Sequence, residues 1–166
     1  MKDIKLTKIR KDIERLVKNF SEIKFKKDNF IPGKTKISAS GKIVGSEEVE
    51  NMVHAALDAW LTSGRFNNDF QINLAKYLGV KHLLTVNSGS SANLIAFSSL
   101  TSHLHKEKAI KSGDEIITVA AGFPTTINPI FQNQAVPVFV DVKFPTYNID
   151  EKLIENAITT KTKAII

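Results

Sequence analysis

Cysteine is absent from this chain of 166 residues. Without a thiol, the chain can build neither a disulfide framework nor a thiolate metal site, and a reducing, cytoplasmic compartment is the default expectation. No apolar run is long enough to cross a bilayer, and the first residues lack the apolar stretch of a signal peptide. Internal repeats and low-complexity stretches are also missing. With 42% hydrophobic and 24% charged residues, the composition predicts an ordinary globular domain.

Acidic residues are too few to balance the basic ones at the N-terminus. The formal net charge is +6, and residues 1–36 carry +7 whereas residues 37–166 carry −1. A basic segment can contact phosphate backbones. This one lacks interleaved stacking aromatics and any zinc-finger or RNA-recognition signature. We therefore expect a solvated, lysine-rich helix face and neither a nucleic-acid nor a membrane partner.

Hydrophobic spacing divides the chain into two parts. Apolar residues recur every three or four positions over residues 3–20, which predicts a helix, and residues 24–45 are predicted to form an extended connector. We assign this arm and connector to residues 1–45 and a compact domain to residues 46–166. That domain is predicted to begin with a helix that has Ser46 as its N-cap and reaches Trp60. A second helix is predicted over residues 69–78, with Gly79 as its C-terminal cap.

Predicted strands alternate with predicted helices from Val80 onward. This alternation predicts an α/β fold with a mostly parallel sheet and helices on both faces. The chain stops inside the last strand without a polar tail, so we expect a domain that is truncated at its C-terminus. The predicted strands cover residues 80–86, 115–120, 136–142 and 163–166, and the predicted helices cover residues 91–105, 125–132 and 150–157.

A turn of small polar residues, 87–91, lies between a predicted strand and a predicted helix. The start of a helix offers unpaired N–H groups and the positive end of the helix dipole. Glycine lets an anion approach and serine adds donors, so the turn predicts a phosphate site. Turn geometry alone also favours glycine and serine there. A Walker A loop is excluded elsewhere, because Asp28 stands where its first glycine would precede Gly33.

Phe123 follows the predicted strand over residues 115–120. Ligands of open α/β sheets bind at the carboxyl ends of the strands, where an aromatic side chain can stack on a flat ring. The alternative interpretation is a plain core residue.

Several segments together resemble the DegT/DnrJ/StrS aminotransferase family. The resemblance covers about residues 28–166, and residues 120–129 are most similar to the 3-dehydrases that act on CDP-4-keto-6-deoxyglucose. The segments that carry it are Asp58-Ala59-Trp60-Leu61-Thr62-Ser63-Gly64-Arg65-Phe66, residues 86–94, 113–117, 139–142, 146–150 and 162–166.

The resemblance implies the large domain of a fold-type-I, pyridoxal-phosphate-dependent enzyme that forms a homodimer. It implies that Gly89, Ser90 and Ser91 bind the cofactor phosphate and that Phe123 stacks on the pyridine ring. It also places one further segment near the substrate mouth, for which a plain helix-ending turn is the alternative. That segment consists of Thr62, Ser63, Gly64 and Arg65.

The resemblance further implies an enzyme that uses pyridoxal or pyridoxamine phosphate on a nucleotide-linked 4-keto-6-deoxyhexose, in deoxysugar and O-antigen biosynthesis. Dehydrases of this subgroup have a histidine in place of the aminotransferases' cofactor-bound lysine, and many bind an iron–sulfur cluster. A reductase partner is a further expectation. The alternatives are an aminotransferase of the same family and an inactive remnant. No residue here matches the catalytic or cluster positions, so we assign no catalytic residue and no metal ligand, and we expect these 166 residues alone to be inactive.

Overall fold

The computed structural model describes residues 2–26 and 29–166. Lys27 and Asp28, which belong to the predicted connector, lie outside the described residues, as does Met1. The chain divides into two compact units between Leu83 and Leu84. Within the described residues, no helix combines the length and the apolar character that a membrane span requires.

The described residues of the first unit form three helices, α1 (Lys2–Lys24), α2 (Ser46–Asp58) and α3 (Arg65–Leu78). The predicted arm helix is confirmed, and α1 packs along α2. The predicted end of α2 at Trp60 is wrong, because Ala59 adopts a left-handed conformation with φ 53° and stops the helix. Trp60 therefore belongs to the turn between α2 and α3.

The N-cap of α2 differs from the prediction, whereas the C-terminal cap of α3 agrees with it. Gly45, and not Ser46, is the N-cap of α2, and its N–H donates to the Glu48 carboxylate at 2.6 Å. The acidic side chain thus satisfies the helix start, where a serine hydroxyl was expected. Gly79 ends α3 as predicted, with a φ of 69° and an N–H that donates to the carbonyls of Ala75 and Lys76.

The second unit is an α/β structure with a three-stranded parallel sheet in the order β2-β1-β3. Its central strand pairs Ile117 with Val138 on one side and with Ile165 on the other. The elements are α4 (Gly89–Leu100), a 3₁₀ helix (His103–Lys108), β1 (Glu115–Val119), α5 (Pro124–Gln132), β2 (Val136–Val140), α6 (Glu151–Ala157) and β3 (Thr162–Ile165).

The core of this unit surrounds β1. Successive side chains of a strand point to opposite faces, and Ile116 and Ile117 are both 0% exposed, so β1 is covered on both faces. Ile116 packs with Phe97 of α4 and Ile130 of α5. The predicted fold class, an α/β domain with a parallel sheet, is confirmed.

Two predictions for residues 80–105 are wrong. Residues 80–86 form no strand, and Leu84 is 84% exposed. A strand needs a neighbour for its backbone hydrogen bonds, and this segment pairs with none of the three described strands. The predicted helix over residues 91–105 begins earlier, at Gly89, and ends at Leu100.

Candidate functional site

The phosphate-binding turn predicted from the sequence lies at the start of α4. Ser88 is the N-cap, and its Oγ accepts the N–H of Ser91 at 3.1 Å. Helix geometry leaves the N–H groups of Gly89 and Ser90 without an intrahelical carbonyl partner. The three predicted residues thus occupy the first turn of a 12-residue helix, where the helix dipole favours an anion.

The space beside this turn is open. A β-carbon built on Gly89 would meet no atom within 4 Å, so an anion can approach the backbone there. Ser90 is exposed and Ser91 is half-buried. Free backbone donors, two hydroxyls and open space make this turn fit a phosphate group. We call Gly89, Ser90 and Ser91, with their cap Ser88, the phosphate turn.

A cavity of about 160 Å³ connects the phosphate turn to α5. Asn93 links the two helices, because its Nδ2 donates to the Thr125 carbonyl at 3.4 Å. The structure therefore brings together the two segments that the sequence singled out after separate predicted strands. The cavity is lined by Ser90, Ser91 and Leu94 from α4 and by Thr125, Asn128, Pro129 and Gln132 from α5.

Phe123 is the N-cap residue of α5 and is 72% exposed. It follows β1 by four positions and stands beyond the carboxyl end of that strand. Among the described residues, Phe123 is therefore not part of the core. Its ring is accessible for stacking on a planar ligand.

The polar lining of α5 was missed by the sequence interpretation. Thr125, Asn128 and Gln132 are spaced by three and four residues, which places them on one face of a helix. That spacing was visible in the sequence. Hydroxyl and amide groups on this face supply donors and acceptors next to the phosphate turn.

The second predicted segment lies in the first unit, at the turn between α2 and α3. Trp60 Nε1 donates to the Ser63 carbonyl at 3.0 Å, and a β-carbon on Gly64 would lie 3.2 Å from Trp60 Cδ1. The turn both ends a helix and lines a cavity of about 610 Å³, which we call the α2–α3 cavity. Its lining consists of Thr62, Ser63, Gly64 and Arg65, with Ala55, Asp58, Trp60, Phe66 and Asn67.

Arg65 is held by an acid that the sequence interpretation missed. Its Nε donates to Asp58 Oδ2 at 2.8 Å, and its guanidinium carbon lies 4.0 Å from the centre of the Phe66 ring. Asp58 Oδ1 accepts a second bond, from Arg10 Nη2 of α1 at 3.0 Å. The hydrogen bonds from Arg65 and Arg10 hold the pKa of Asp58 below its usual value.

Among residues 2–26 and 29–166, no group of three or more histidine, aspartate or glutamate side chains could hold a metal ion.

Comparison with protein families identifies residues 43–166 with the DegT/DnrJ/EryC1/StrS aminotransferase family. The chain is 52% identical over 158 residues to the lipopolysaccharide biosynthesis protein RfbH of Salmonella typhimurium. The aligned region covers 95% of this chain and 36% of that protein. It is 45% identical over 137 residues to a dTDP-4-dehydro-2,6-dideoxy-D-glucose 3-dehydratase of Saccharopolyspora spinosa. This aligned region covers 82% of this chain and 30% of that enzyme. The chain thus spans about a third of the length of these relatives.

A solved structure shares the fold. The Escherichia coli GDP-4-keto-6-deoxy-D-mannose-3-dehydratase with bound hydrated PLP superposes with a TM-score of 0.62 at 35% identity, over 69% of this chain and 29% of that chain. The family resemblance read from the sequence is thereby confirmed.

Proposed function

Because the chain belongs to the DegT/DnrJ/EryC1/StrS aminotransferase family, we propose that it is part of a nucleotide-sugar 3-dehydratase that uses pyridoxal or pyridoxamine phosphate. The observation that carries this proposal is the 45% identity to a named sugar 3-dehydratase over 82% of the chain. The substrate would be a nucleotide-linked 4-keto-6-deoxyhexose, from which the enzyme removes the hydroxyl at carbon 3. The likeness to a lipopolysaccharide biosynthesis protein supports a role in lipopolysaccharide biosynthesis, within which the supply of deoxysugars for the O-antigen is the finer part of this proposal.

The phosphate turn would hold the cofactor phosphate. The open space at Gly89 and the donors of Ser90 and Ser91 support this assignment. Phe123, with an accessible ring, would stack on the cofactor pyridine. When bound, the cofactor supplies an electron sink for bond cleavage next to the keto carbon of the sugar. The contribution of these residues is to anchor and orient the ring.

The α2–α3 cavity would receive part of the sugar nucleotide. Thr62 and Ser63 offer polar groups along its wall, and Arg65 offers a cation. The second candidate function is transfer of an amino group to the same class of keto sugar, which is supported by the name of the family itself. A homodimer, an iron–sulfur cluster held by residues outside this sequence and a reductase partner remain predictions from the resemblance.

The test is incubation of the purified full-length enzyme, of which these 166 residues are proposed to be a part, with pyridoxamine phosphate and, separately, CDP-, dTDP- and GDP-linked 4-keto-6-deoxyhexoses. Mass spectrometry of the sugar distinguishes replacement of the carbon 3 hydroxyl by hydrogen, for which oxidation of pyridoxamine phosphate to pyridoxal phosphate would supply the two electrons, from replacement of the keto oxygen by an amine. Loss of the carbon 3 oxygen in one or more nucleotide series supports the dehydratase. An amino sugar would instead establish the aminotransferase, and an unchanged sugar in all three series would overturn both assignments.

A further inference from the structure

Three helices of the first unit meet at one carboxylate. Asp58 is the last residue of α2, Arg65 is the first residue of α3, and Arg10 lies on the arm helix α1. Each oxygen of Asp58 accepts one guanidinium N–H, from Arg10 at 3.0 Å and from Arg65 at 2.8 Å. The arm, which the sequence predicts to be a solvated helix, is thereby joined to the rim of the α2–α3 cavity.

We propose that Asp58 is a positioning residue that holds Arg65 toward the α2–α3 cavity, where Arg65 contacts a phosphate of a nucleoside diphosphate group, and that Arg10 in turn holds Asp58. The identity of the ligand rests on the proposed function, because that function requires a nucleotide-linked sugar. The arm then contributes to substrate affinity through one defined contact.

Charge and geometry favour a phosphate as the partner of Arg65. The two guanidiniums and the single carboxylate leave one net positive charge at the rim of the cavity. Arg65 lines that cavity, and its side chain is 55% exposed, so a ligand can reach it. A guanidinium presents several N–H groups in a plane that matches the oxygens of a phosphate. The Phe66 ring beneath it supports that plane.

The contacts around Asp58 make it suited to hold another side chain. An arginine side chain has several rotatable bonds, and binding an anion requires it to lose much of that freedom. Asp58 fixes the Nε end of Arg65 before a ligand arrives, so less freedom is lost on binding. Trp60 closes the intervening turn through its bond to Ser63, which keeps the end of α2 close to the start of α3.

Substitution Asp58→Asn separates positioning from simple electrostatics. It removes a negative charge and raises the net charge of the cluster, so electrostatics alone predicts tighter binding of an anion. Loss of the charged acceptor releases Arg65, so positioning predicts weaker binding. The two explanations therefore differ in the sign of the change.

The experiment is calorimetric titration of the purified protein with CDP, dTDP and GDP, without cofactor. We expect Arg65→Ala to weaken binding by about tenfold or more, as for loss of a hydrogen bond to a charged group. Asp58→Asn and Arg10→Ala are each expected to weaken it by about two- to fivefold, the range of exposed ion pairs. The matched control is Arg15→Ala, because Arg15 lies on the same helix and its ion pair among the described residues is within that helix, with Asp12 at 3.9 Å. Its affinity should equal that of the parent protein.

The double variant Arg10→Ala with Asp58→Asn should bind no more weakly than Asp58→Asn alone, since both act through Arg65. Circular dichroism and thermal melting check that each variant folds. If Asp58→Asn does not fold, Asp58→Ser, which also removes the negative charge, makes the same comparison of sign.

Three results would overturn the proposal: tighter or unchanged binding in Asp58→Asn, equal losses in Arg10→Ala and Arg15→Ala, or no binding of any of the three nucleotides to the parent protein. The titration involves no turnover, so it is independent of the proposed reaction. A protein without dehydratase activity that shows the expected pattern keeps the positioning role and loses the proposed function. An active dehydratase without the pattern loses the positioning role alone.

Discussion

Substitution of Gly89 by valine tests the phosphate turn with little disturbance of the fold. A β-carbon at this position would meet no atom within 4 Å, so the chain itself has room for the larger side chain. Gly89 is also the first residue of α4, and glycine disfavours a helix by up to about 1 kcal/mol relative to alanine, more than valine does. We therefore expect the melting temperature to be unchanged or slightly raised.

The same substitution should weaken cofactor binding strongly. The branched side chain would occupy the space through which a phosphate approaches the N–H groups of Gly89 and Ser90. A hydrogen bond to a charged group contributes about 1.5–3 kcal/mol. Loss of one such bond corresponds to a decrease in affinity of about 10- to 150-fold, because about 1.4 kcal/mol corresponds to a factor of ten. An absorbance titration with pyridoxal phosphate measures the change.

Gly41→Val is the matched control. Gly41 lies outside the helices, and a β-carbon there also meets nothing within 4 Å. Its cofactor affinity should equal that of the parent protein. Unchanged affinity in Gly89→Val, or an equal loss in Gly41→Val, would refute the assignment of the phosphate turn.

Three further predictions concern the stacking ring, the core and the arm. Phe123→Ala should lower cofactor affinity by about two- to twelvefold, from a stacking energy of about 0.5–1.5 kcal/mol, and should leave the melting temperature unchanged, because the ring is 72% exposed. Ile116→Ala should lower the free energy of unfolding by about 2–5 kcal/mol in denaturant titrations, whereas Ile158→Ala, at a 54% exposed position, should cost far less. The pKa of Asp58 is lowered in the folded chain, so its contribution to holding α1 is present above its ordinary pKa and is lost as the pH falls through the lowered value. The hydrogen-exchange protection factors of α1, which are corrected for the intrinsic pH dependence of amide exchange, should therefore fall at acid pH in the parent protein, and the fall should be smaller in Asp58→Asn.

The parallel sheet could be predicted because its strands are short apolar runs between clear turn signals. A parallel sheet with helices on both faces predicts that Ile116 and Ile117 of β1 are both buried, and both are buried in the structure. The run over residues 80–86 has the same composition, yet it pairs with no described strand. Local composition records a preference for extended backbone, whereas a strand also requires a partner that lies elsewhere in the chain.

The contact between Arg10 and Asp58 could not be predicted in this way. It joins residues 48 positions apart, and the arm offers many basic side chains of similar spacing. Which of them meets Asp58 depends on how α1 packs along α2, and helix packing is set by the apolar faces of both helices. Arg65 was identified because it lies inside a family-like segment, but the acid that holds it became visible only in three dimensions.

Two glycines show how structure separates roles that look alike in sequence. Gly64 and Gly89 each follow a serine, and each stands where a helix begins. A β-carbon on Gly64 would lie 3.2 Å from the Trp60 ring, so the tryptophan that closes the α2–α3 turn would have to shift by a few tenths of an ångström. A β-carbon on Gly89 meets open space. Glycine at position 64 is therefore favoured by the packing against Trp60, whereas no described residue restricts the space at position 89. A bound anion is the restriction at position 89 that the proposed function supplies, so substitution there tests binding more directly than substitution at Gly64.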